Sequence, residues 1–254
     1  RILVSFLIFL GILVVIYIFL LSLSSSDLRD QEIASSVVNI YCEGESDDVE
    51  DVTGGSGTIM TAEGLVLTNA HIIPHASTTA EKTCVVILPD PESGSPAEMY
   101  YARPLVIPSI SEKYDLAFVM IDDVFYDGEE GKAYGEYPRA FPAYDSERYC
   151  INENVRLGEP VRIYGYPAIS GGYALTITDG VVSSLLLNEG LIITSAKISH
   201  GNSGGLAVDE NGCRIGIPSM VSSDETGSLG VIISNNLISD FTDEVQALIE
   251  LESQ

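Results

Sequence analysis

Near its start the chain has a long uncharged stretch of mainly apolar residues, and it then changes to short segments rich in β-branched residues. Residues 2–23 contain no charge, and only Ser5, Gly11 and Ser22 interrupt the apolar side chains. As a helix this stretch would be about 33 Å long, at ~1.5 Å per residue, which is enough to cross the hydrocarbon core of a bilayer. It is longer than the apolar core of a secretory signal, and no small-residue cleavage pattern follows it. The pattern therefore favours a transmembrane helix over residues 1–23, with a cleaved signal as the alternative.

A polar stalk over residues 24–35 leads into two series of predicted β-strands. The first series covers residues 36–42, 55–61, 64–70, 83–89, 99–107 and 116–122. The second series covers residues 160–166, 174–184, 190–196, 205–209, 213–221 and 229–234. Short strands at this spacing, with no helical periodicity between them, indicate an all-β barrel or sandwich.

The segment between the two series is rich in Tyr, Gly, Pro and acidic residues, as expected of a long connection. We therefore divide the chain into a first β-barrel (36–125), an inter-barrel segment (126–150) and a second β-barrel with a C-terminal helix (151–254). Apolar residues at 237, 238, 241, 245, 248, 249 and 251 predict that helix, with Asp240 or Thr242 as its N-cap.

The charge balance excludes one class of partner. The chain has 37 acidic and 12 basic residues, a formal net charge of −25. Nucleic-acid binding needs a basic surface to meet the phosphates, so we do not expect it here. Solvated acidic loops account for the negative charge most simply. Electrostatic steering of a substrate by this charge is the alternative.

Four cysteines are present, and none of them forms a C-x-x-C pair, so a zinc site is not expected. Of the three possible disulfide pairings, we favour Cys42 with Cys84 and Cys150 with Cys213, because each bond then stays within one half of the domain. An oxidising compartment beyond a membrane anchor would permit both bonds. Four buried free thiols are the alternative.

The segment HGNSGG, residues 200–205, is the first candidate for chemistry. A serine that attacks a carbonyl needs a base beside it and hydrogen-bond donors where the oxyanion forms. Glycines around Ser203 would let the backbone turn tightly, so that main-chain N–H groups point into the site. Such strings also occur in ordinary turns, so the motif needs partners elsewhere in the chain.

Two other segments offer those partners. His71 directly follows a predicted strand, and the ordinary pKa of a histidine, near ~6.5, suits proton transfer. Asp115 precedes an apolar strand, where a carboxylate can orient a histidine and stabilise its cation. We expect His75 to be a loop residue and His200 to line the site. The order His71, Asp115, Ser203 also excludes an α/β-hydrolase esterase, in which the serine comes first.

Three motifs together resemble the trypsin-like serine proteases, and most closely the HtrA (Deg) branch. They are GSGTIMTAEGLVLTNAHII, YDLAFVMID and GNSGG with the nearby AVDENGCRIGI, within a resemblance that covers roughly residues 36–240. The resemblance implies two six-stranded antiparallel β-barrels with the active site in the cleft between them. It implies His71 as general base, Asp115 as its orienting residue and Ser203 as nucleophile. The backbone N–H groups of Gly201 and Ser203 would then form the oxyanion hole.

The sequence also departs from that branch. The given sequence ends in one predicted helix where the branch usually has PDZ domains, so we expect either a member without a PDZ domain or one whose PDZ domain lies outside these residues. Ser199 and His200 replace the Asn-Pro pair that often precedes GNSGG. Asn202 stands where digestive relatives have an aspartate that pairs with a new N-terminus, so activation by that ion pair is not expected. Lys197 occupies a position that contributes to the primary specificity pocket, where a buried lysine would favour acidic substrate residues and an exposed one would not.

The expected function is that of a membrane-anchored serine endopeptidase, with an extracytoplasmic catalytic domain and protein or peptide substrates. No metal or organic cofactor is needed for this chemistry. Homo-oligomers, and trimers in particular, are common in the HtrA branch, so a homo-oligomer is possible. The alternative is a catalytically inactive protease-like module that binds unfolded or partner proteins.

Overall fold

The computed structural model describes residues 28–46, 49–74, 83–128, 131–144, 150–222 and 229–252, which form two closed β-barrels with flanking helices. The first barrel consists of β1 (Val37–Ser46), β2 (Val49–Ile59), β3 (Leu65–Thr68), β4 (Thr83–Pro89), β5 (Pro96–Leu105) and β6 (Ala117–Val124). The second consists of β7 (Pro160–Gly165), β8 (Thr176–Leu186), β9 (Leu191–Thr194), β10 (Leu206–Val208), β11 (Arg214–Ser222) and β12 (Leu229–Ser234).

Both barrels have the same strand order. Around the first barrel the order is β1-β2-β3-β6-β5-β4, and around the second it is β7-β8-β9-β12-β11-β10. Every neighbouring pair is antiparallel. The prediction of two six-stranded antiparallel barrels is therefore confirmed.

Strand β1 shows how the sequence places residues at the boundary between the barrels. Successive side chains of a strand point to opposite faces. Val38, Ile40 and Cys42 are buried in the core of the first barrel. Val37 and Asn39 alternate with them and contact the second barrel, Val37 through an apolar cluster and Asn39 through a hydrogen bond to Gly172. The alternation therefore gives β1 one face for the core and one for the neighbouring barrel.

Two apolar clusters join the barrels. One of them joins residues of the first barrel to residues of the second barrel and of the C-terminal helix. Its members include Leu67, Tyr114, Leu116, Ile217, Ile233, Ile238 and Phe241. The other cluster packs Val37 against Tyr164, Tyr166, Leu206 and Val208. Buried apolar area contributes roughly 25 cal/mol per Å², so these clusters hold the two barrels together.

A helix that the sequence did not predict precedes the first barrel. Residues 28–35, expected to belong to a polar stalk, form helix α1. Its Ile33 is 1% exposed and belongs to the same apolar cluster as Val37. Arg29 donates hydrogen bonds to the carbonyls of Glu210 and Asn211, and Asp30 pairs with Arg162 at 2.7 Å. Helix α1 is therefore docked on the second barrel.

Two further helices lie beside the interface. Helix α2 (Pro108–Tyr114) begins with a proline in its first turn and was not predicted. Helix α3 (Asn235–Glu252) confirms the predicted C-terminal helix but begins earlier than expected. Asp240 and Thr242 lie inside this helix, so the prediction of either as N-cap is wrong. The Thr242 hydroxyl instead donates to the carbonyl of Ile238, one turn before it.

Both favoured disulfides form. Cys42–Cys84 joins directly paired positions of β1 and β4, and Cys150–Cys213 ties the end of the inter-barrel segment to the residue before β11. The sequence separations are 42 and 63 residues. Closing loops of that size removes unfolded-chain entropy equivalent to about 4 kcal/mol for each bond.

The predicted membrane anchor over residues 1–23 lies outside the described residues, as does His75. Within the part of the chain that the structure describes, no helix combines the length and the apolar character that a membrane crossing requires.

Candidate active site

His71 lies in the 3-10 turn Ala70–Ile72, directly after β3. Its Nδ1 atom is 2.9 Å from both carboxylate oxygens of Asp115, and its backbone N–H donates to Oδ1 at 3.2 Å. A carboxylate can only accept hydrogen bonds, so Nδ1 donates its proton to Asp115. Nε2 then keeps a free lone pair, which is what a histidine needs to take a proton from a hydroxyl.

Asp115 directly follows helix α2 in the left-handed backbone region, with φ 52° and ψ 40°. This conformation is uncommon except in glycine, asparagine and aspartate. The Asp115 carbonyl accepts hydrogen bonds from the Ala70 N–H at 3.2 Å and from the Asn69 side-chain amide at 2.8 Å. Backbone and side chain of Asp115 are therefore both bound to the turn that contains His71.

A serine of the second barrel completes the surroundings of this carboxylate. Ser219, on β11, is 7% exposed and donates its hydroxyl proton to Oδ2 of Asp115 at 3.0 Å. Ser219 is not among the site residues predicted from the sequence. The signal was available, because Ser219 is a polar position inside the apolar strand CRIGIPSMV. Its hydrogen bond fixes the carboxylate from the side of the second barrel.

Ser203 lies where the second barrel meets the first. Its carbonyl accepts a hydrogen bond from the Ser56 N–H of β2 at 2.8 Å, and the next N–H, of Gly204, donates to the Pro218 carbonyl at 3.0 Å. Pro218 directly precedes Ser219, which binds Asp115. The backbone around the predicted nucleophile is thus attached to β2 of the first barrel and to β11 of the second.

Gly204 has no room for a side chain. Its φ is +84°, and a Cβ atom there would lie 2.1 Å from the Ser56 carbonyl oxygen and 2.3 Å from the Thr68 hydroxyl oxygen. Thr68 is the last residue of β3, three positions before His71. A glycine after Ser203 is therefore what lets this loop approach the strand that leads to His71.

Residues Ser199–Asn202 form a tight turn, which we call the oxyanion turn. The Asn202 N–H donates to the Ser199 carbonyl at 3.0 Å, and Gly201 has a φ of +97°. This is a type II turn, which needs a positive φ at its third residue and so favours glycine there. The turn ends directly before Ser203, and its geometry sets where the Gly201 and Ser203 N–H groups point.

Both of those N–H groups are available. Each belongs to a peptide unit whose carbonyl is held on the opposite side. The His200 carbonyl accepts from the Ala168 N–H at 2.8 Å, and the Asn202 carbonyl accepts from the Gly205 N–H at 3.1 Å. Among the hydrogen bonds of the described residues, none uses the N–H of Gly201 or Ser203. Two free, fixed donors beside a serine suit the stabilisation of an oxyanion.

Ser56 holds this turn from the first barrel. Its hydroxyl donates to the Gly201 carbonyl at 2.6 Å and accepts from the Tyr166 N–H at 2.9 Å. Its backbone also binds Ser203, as described above. Ser56 lies in a glycine-rich strand, and nothing in the sequence distinguished its hydroxyl from that of a solvent-facing serine.

The two remaining predicted residues differ in their surroundings. His200 is exposed and lines a cavity of about 250 Å³ together with Gly201, Tyr41 and Tyr166. Lys197 is also exposed, and the buried side chain beside it is Ile198, which lies against Gly230. This exposure does not provide the buried cation that a preference for acidic residues requires. The substrate-binding roles of Lys197 and His200 stay predictions.

A larger cavity, of about 450 Å³, lies on the side of Asp115 that faces helix α3. Its walls include Leu191, Val231 and Ile233 of the second barrel. Within the described ranges, no group of three His, Cys, Asp or Glu side chains is placed to hold a metal ion.

Comparison with known proteins agrees with this architecture. Residues 55–217 match the family model of the trypsin-like peptidase domain. The chain is 27% identical over 232 residues to Protease Do-like 2, chloroplastic, of Arabidopsis thaliana, an alignment that covers 84% of this chain and 33% of that protein. It is 27% identical over 201 residues to the periplasmic serine endoprotease DegP of Escherichia coli (strain K12), covering 75% of this chain and 35% of that protein.

A solved structure shows the same relationship. The serine endoprotease from Yersinia pestis superimposes with a TM-score of 0.59 at 25% identity, covering 85% of this chain and 65% of that one. The chain spans about a third of the length of the curated relatives described above. The family model alone covers well over half of the sequence, with the His71–Asp115 pair and Ser203 inside the matched range. This chain therefore belongs to the trypsin-like peptidase family, with HtrA and DegP proteases among its relatives.

Proposed function

We propose that this chain is a serine endopeptidase that hydrolyses peptide bonds through Ser203, His71 and Asp115. The observation that supports this most directly is the pair of 2.9 Å contacts between His71 Nδ1 and the Asp115 carboxylate. They leave Nε2 as the only ring nitrogen able to accept a proton. The free N–H groups of Gly201 and Ser203 supply the second requirement, a site for the oxyanion.

The first half of the reaction forms an acyl-enzyme. Ser203 Oγ attacks the carbonyl carbon of the substrate while its proton passes to His71 Nε2. The carbonyl oxygen becomes an oxyanion, which accepts hydrogen bonds from the Gly201 and Ser203 N–H groups. His71 then gives the proton to the departing amine, and the C–N bond breaks. Asp115 stabilises the imidazolium and remains ionised throughout.

The second half repeats the same steps with water. His71 takes a proton from a water molecule, whose oxygen attacks the ester carbon. The oxyanion forms again in the same place, and the bond to Ser203 Oγ breaks as His71 returns the proton to the serine. The peptide acid leaves, and the enzyme is restored.

We propose further that residues 2–23 anchor the chain in a membrane, with the barrels outside the cytoplasm. The support is the uncharged apolar run in the sequence and the two disulfides, which are rare in cytosolic proteins. Assembly into a homo-oligomer stays a prediction from the resemblance to the HtrA branch.

One experiment tests the protease chemistry and the membrane anchor. The full chain and its Ser203→Ala variant are expressed in bacteria, separated into membrane and supernatant fractions, and treated with a fluorescent fluorophosphonate. We expect a labelled band in the membrane fraction of the unaltered chain, casein cleavage by the same fraction, and neither signal for Ser203→Ala. An intact but unlabelled protein that cleaves nothing would favour the inactive binding module. A labelled band only in the supernatant would contradict the membrane anchor.

A further inference from the structure

The oxyanion turn depends on a loop of the second barrel for its conformation. A type II turn and a type I turn differ mainly by rotation of the central peptide unit, here the one between His200 and Gly201. Glycine at the third position tolerates both conformations. Rotation to type I would turn the His200 carbonyl into the site and the Gly201 N–H out of it. The hydrogen bond that opposes this rotation is the one from the Ala168 N–H to the His200 carbonyl, at 2.8 Å.

Ala168 lies in a short loop with little support from its own barrel. The loop contains the 3-10 turn Ala168–Ser170 and closes with Gly171 and Gly172, at φ values of +76° and +72°. Its backbone hydrogen bonds run back to Pro167 and Ala168, and the Ser170 hydroxyl is close to the Pro167 and Ala174 carbonyls, at 2.9 Å and 3.0 Å, so these contacts all stay within the connection between β7 and β8. Two consecutive glycines in the left-handed region give the loop alternative conformations at low cost.

The first barrel supplies the support. Asn39 donates its side-chain amide to the Gly172 carbonyl at 2.5 Å, and the Tyr41 hydroxyl donates to the same oxygen at 3.2 Å. Asn39 is 2% exposed, so its amide has little access to water as an alternative partner. The Tyr41 ring also lies 6.2 Å from the ring of Tyr173, the residue after Gly172. Both donors reach this loop because β1 points its odd-numbered side chains toward the second barrel.

We propose that Asn39 and Tyr41 are positioning residues for the oxyanion hole, acting through the Gly172 carbonyl and the Ala168 N–H. This inference rests on the proposed protease function. Neither side chain takes part in proton transfer. They keep the 168–172 loop in place, the loop holds the His200 carbonyl, and the Gly201 N–H therefore stays directed into the site. The first barrel thus controls the oxyanion donors of the second.

The test uses variants that keep the size of each side chain. Asn39→Asp replaces the amide that donates to the Gly172 carbonyl with a carboxylate oxygen, so that two hydrogen-bond acceptors would face each other. Tyr41→Phe removes only the hydroxyl. Tyr101→Phe is the control for the second change, because the Tyr101 hydroxyl is on the surface of β5, 3.5 Å from a carbonyl. Asn211→Asp, in an exposed turn, is the control for the added negative charge.

We expect kcat to fall while KM changes by less than about threefold. The reason is that the hydrogen bond from the Gly201 N–H to the oxyanion, which these variants weaken, forms only in the transition state. Tyr41→Phe should lower kcat about 2- to 10-fold, the equivalent of one neutral hydrogen bond. Asn39→Asp should lower it further, up to the ~10²–10³-fold cost of losing one oxyanion donor. The proposal would be overturned if both variants unfold at the same temperature as the wild type and keep its kcat. A raised KM with an unchanged kcat would also overturn it. If Asn39→Asp does not fold, Tyr41→Phe alone decides.

A second measurement separates this inference from the proposed function. Labelling of wild-type Ser203 by a fluorophosphonate establishes the protease chemistry independently of the variants. Amide hydrogen exchange of residues 166–172 reports on the loop whether or not the chain is a protease. Faster exchange at Ala168 in Asn39→Asp and Tyr41→Phe than in their controls is the expected result. Exchange equal to the controls would contradict the positioning role even in a fully active enzyme.

Discussion

The two barrels have the same strand order but build their parts of the site in different ways. The first barrel contributes His71 and Asp115, two side chains joined directly at 2.9 Å. The second contributes Ser203 on a glycine-rich turn whose geometry depends on backbone hydrogen bonds. The part of the site that the first barrel contributes therefore depends mainly on the identity of two side chains. The part that the second barrel contributes depends on how the backbone is held, and much of what holds it comes from the first barrel.

The largest effect of those predicted here comes from changing a side chain of the first barrel without changing its size. Asp115→Asn should lower kcat about 10⁴-fold, because an amide can donate to Nδ1 and so favours the wrong histidine tautomer. Kinetics with a peptide substrate would measure this, and the unfolding temperature would show whether the fold is retained. A loss of less than tenfold in a folded variant would mean that Asp115 does not orient His71.

A backbone change in the second barrel should have the next largest effect. Gly201→Ala forces a side chain into a position with φ +97°, where its Cβ would lie 2.2 Å from the Tyr166 carbonyl oxygen. The oxyanion turn must then shift, and kcat should fall about 10²–10³-fold, as for the loss of one oxyanion donor.

Gly158→Ala is the matched control for that change. Gly158 has φ +81° but no atom within 4 Å of an added Cβ, so it has similar backbone strain without the clash. We expect this variant to lose some stability and to keep its kcat. Equal loss of kcat in the two variants would show that strain, and not the position of the Gly201 N–H, is responsible.

The smallest effect concerns an exposed contact between helix α2, which precedes Asp115, and helix α3. The Lys113 ammonium and the Tyr114 hydroxyl both donate to Glu244, and these hydrogen bonds lower the pKa of that carboxyl. A lowered folded-state pKa adds stability above the unfolded pKa and loses it as pH falls through the folded value.

Glu244→Gln should therefore unfold at a slightly lower temperature than the wild type at neutral pH, and the difference should disappear in acid. Thermal unfolding at a series of pH values measures this, with Glu210→Gln in an exposed turn as control. A difference that persists in acid strong enough to protonate Glu244 in the folded protein as well would assign the effect to packing.

Much of the fold could be predicted because its signals are local. Short runs of β-branched and apolar residues indicated the strands of both barrels, and the disulfide pairing followed from keeping each bond within one half. Helix α1 was missed because Ile33 and Ala34 are too few to make a periodic pattern in a polar segment. The N-cap of α3 was placed too late because the helix begins before its first apolar residue, Leu237.

The contacts that hold the site together were less accessible from the sequence. Ser219 is 104 residues from Asp115, and Asn39 is 133 residues from Gly172. Such pairs form only when the barrels pack, and a single serine or asparagine in a strand has no local pattern that indicates its partner. The candidate reacting groups and the orienting carboxylate Asp115 could be named from the sequence, whereas the residues that hold them across the interface between the barrels could not.

The most direct test of this account is a crystal structure of the chain after reaction with a peptide phosphonate. We predict a phosphorus–Oγ bond at Ser203 and a phosphonyl oxygen about 3 Å from the Gly201 and Ser203 nitrogens, with His71 facing the site and still bound to Asp115. An adduct whose phosphonyl oxygen points away from both N–H groups would contradict it, as would an unreacted Ser203 on a different face of the molecule from His71.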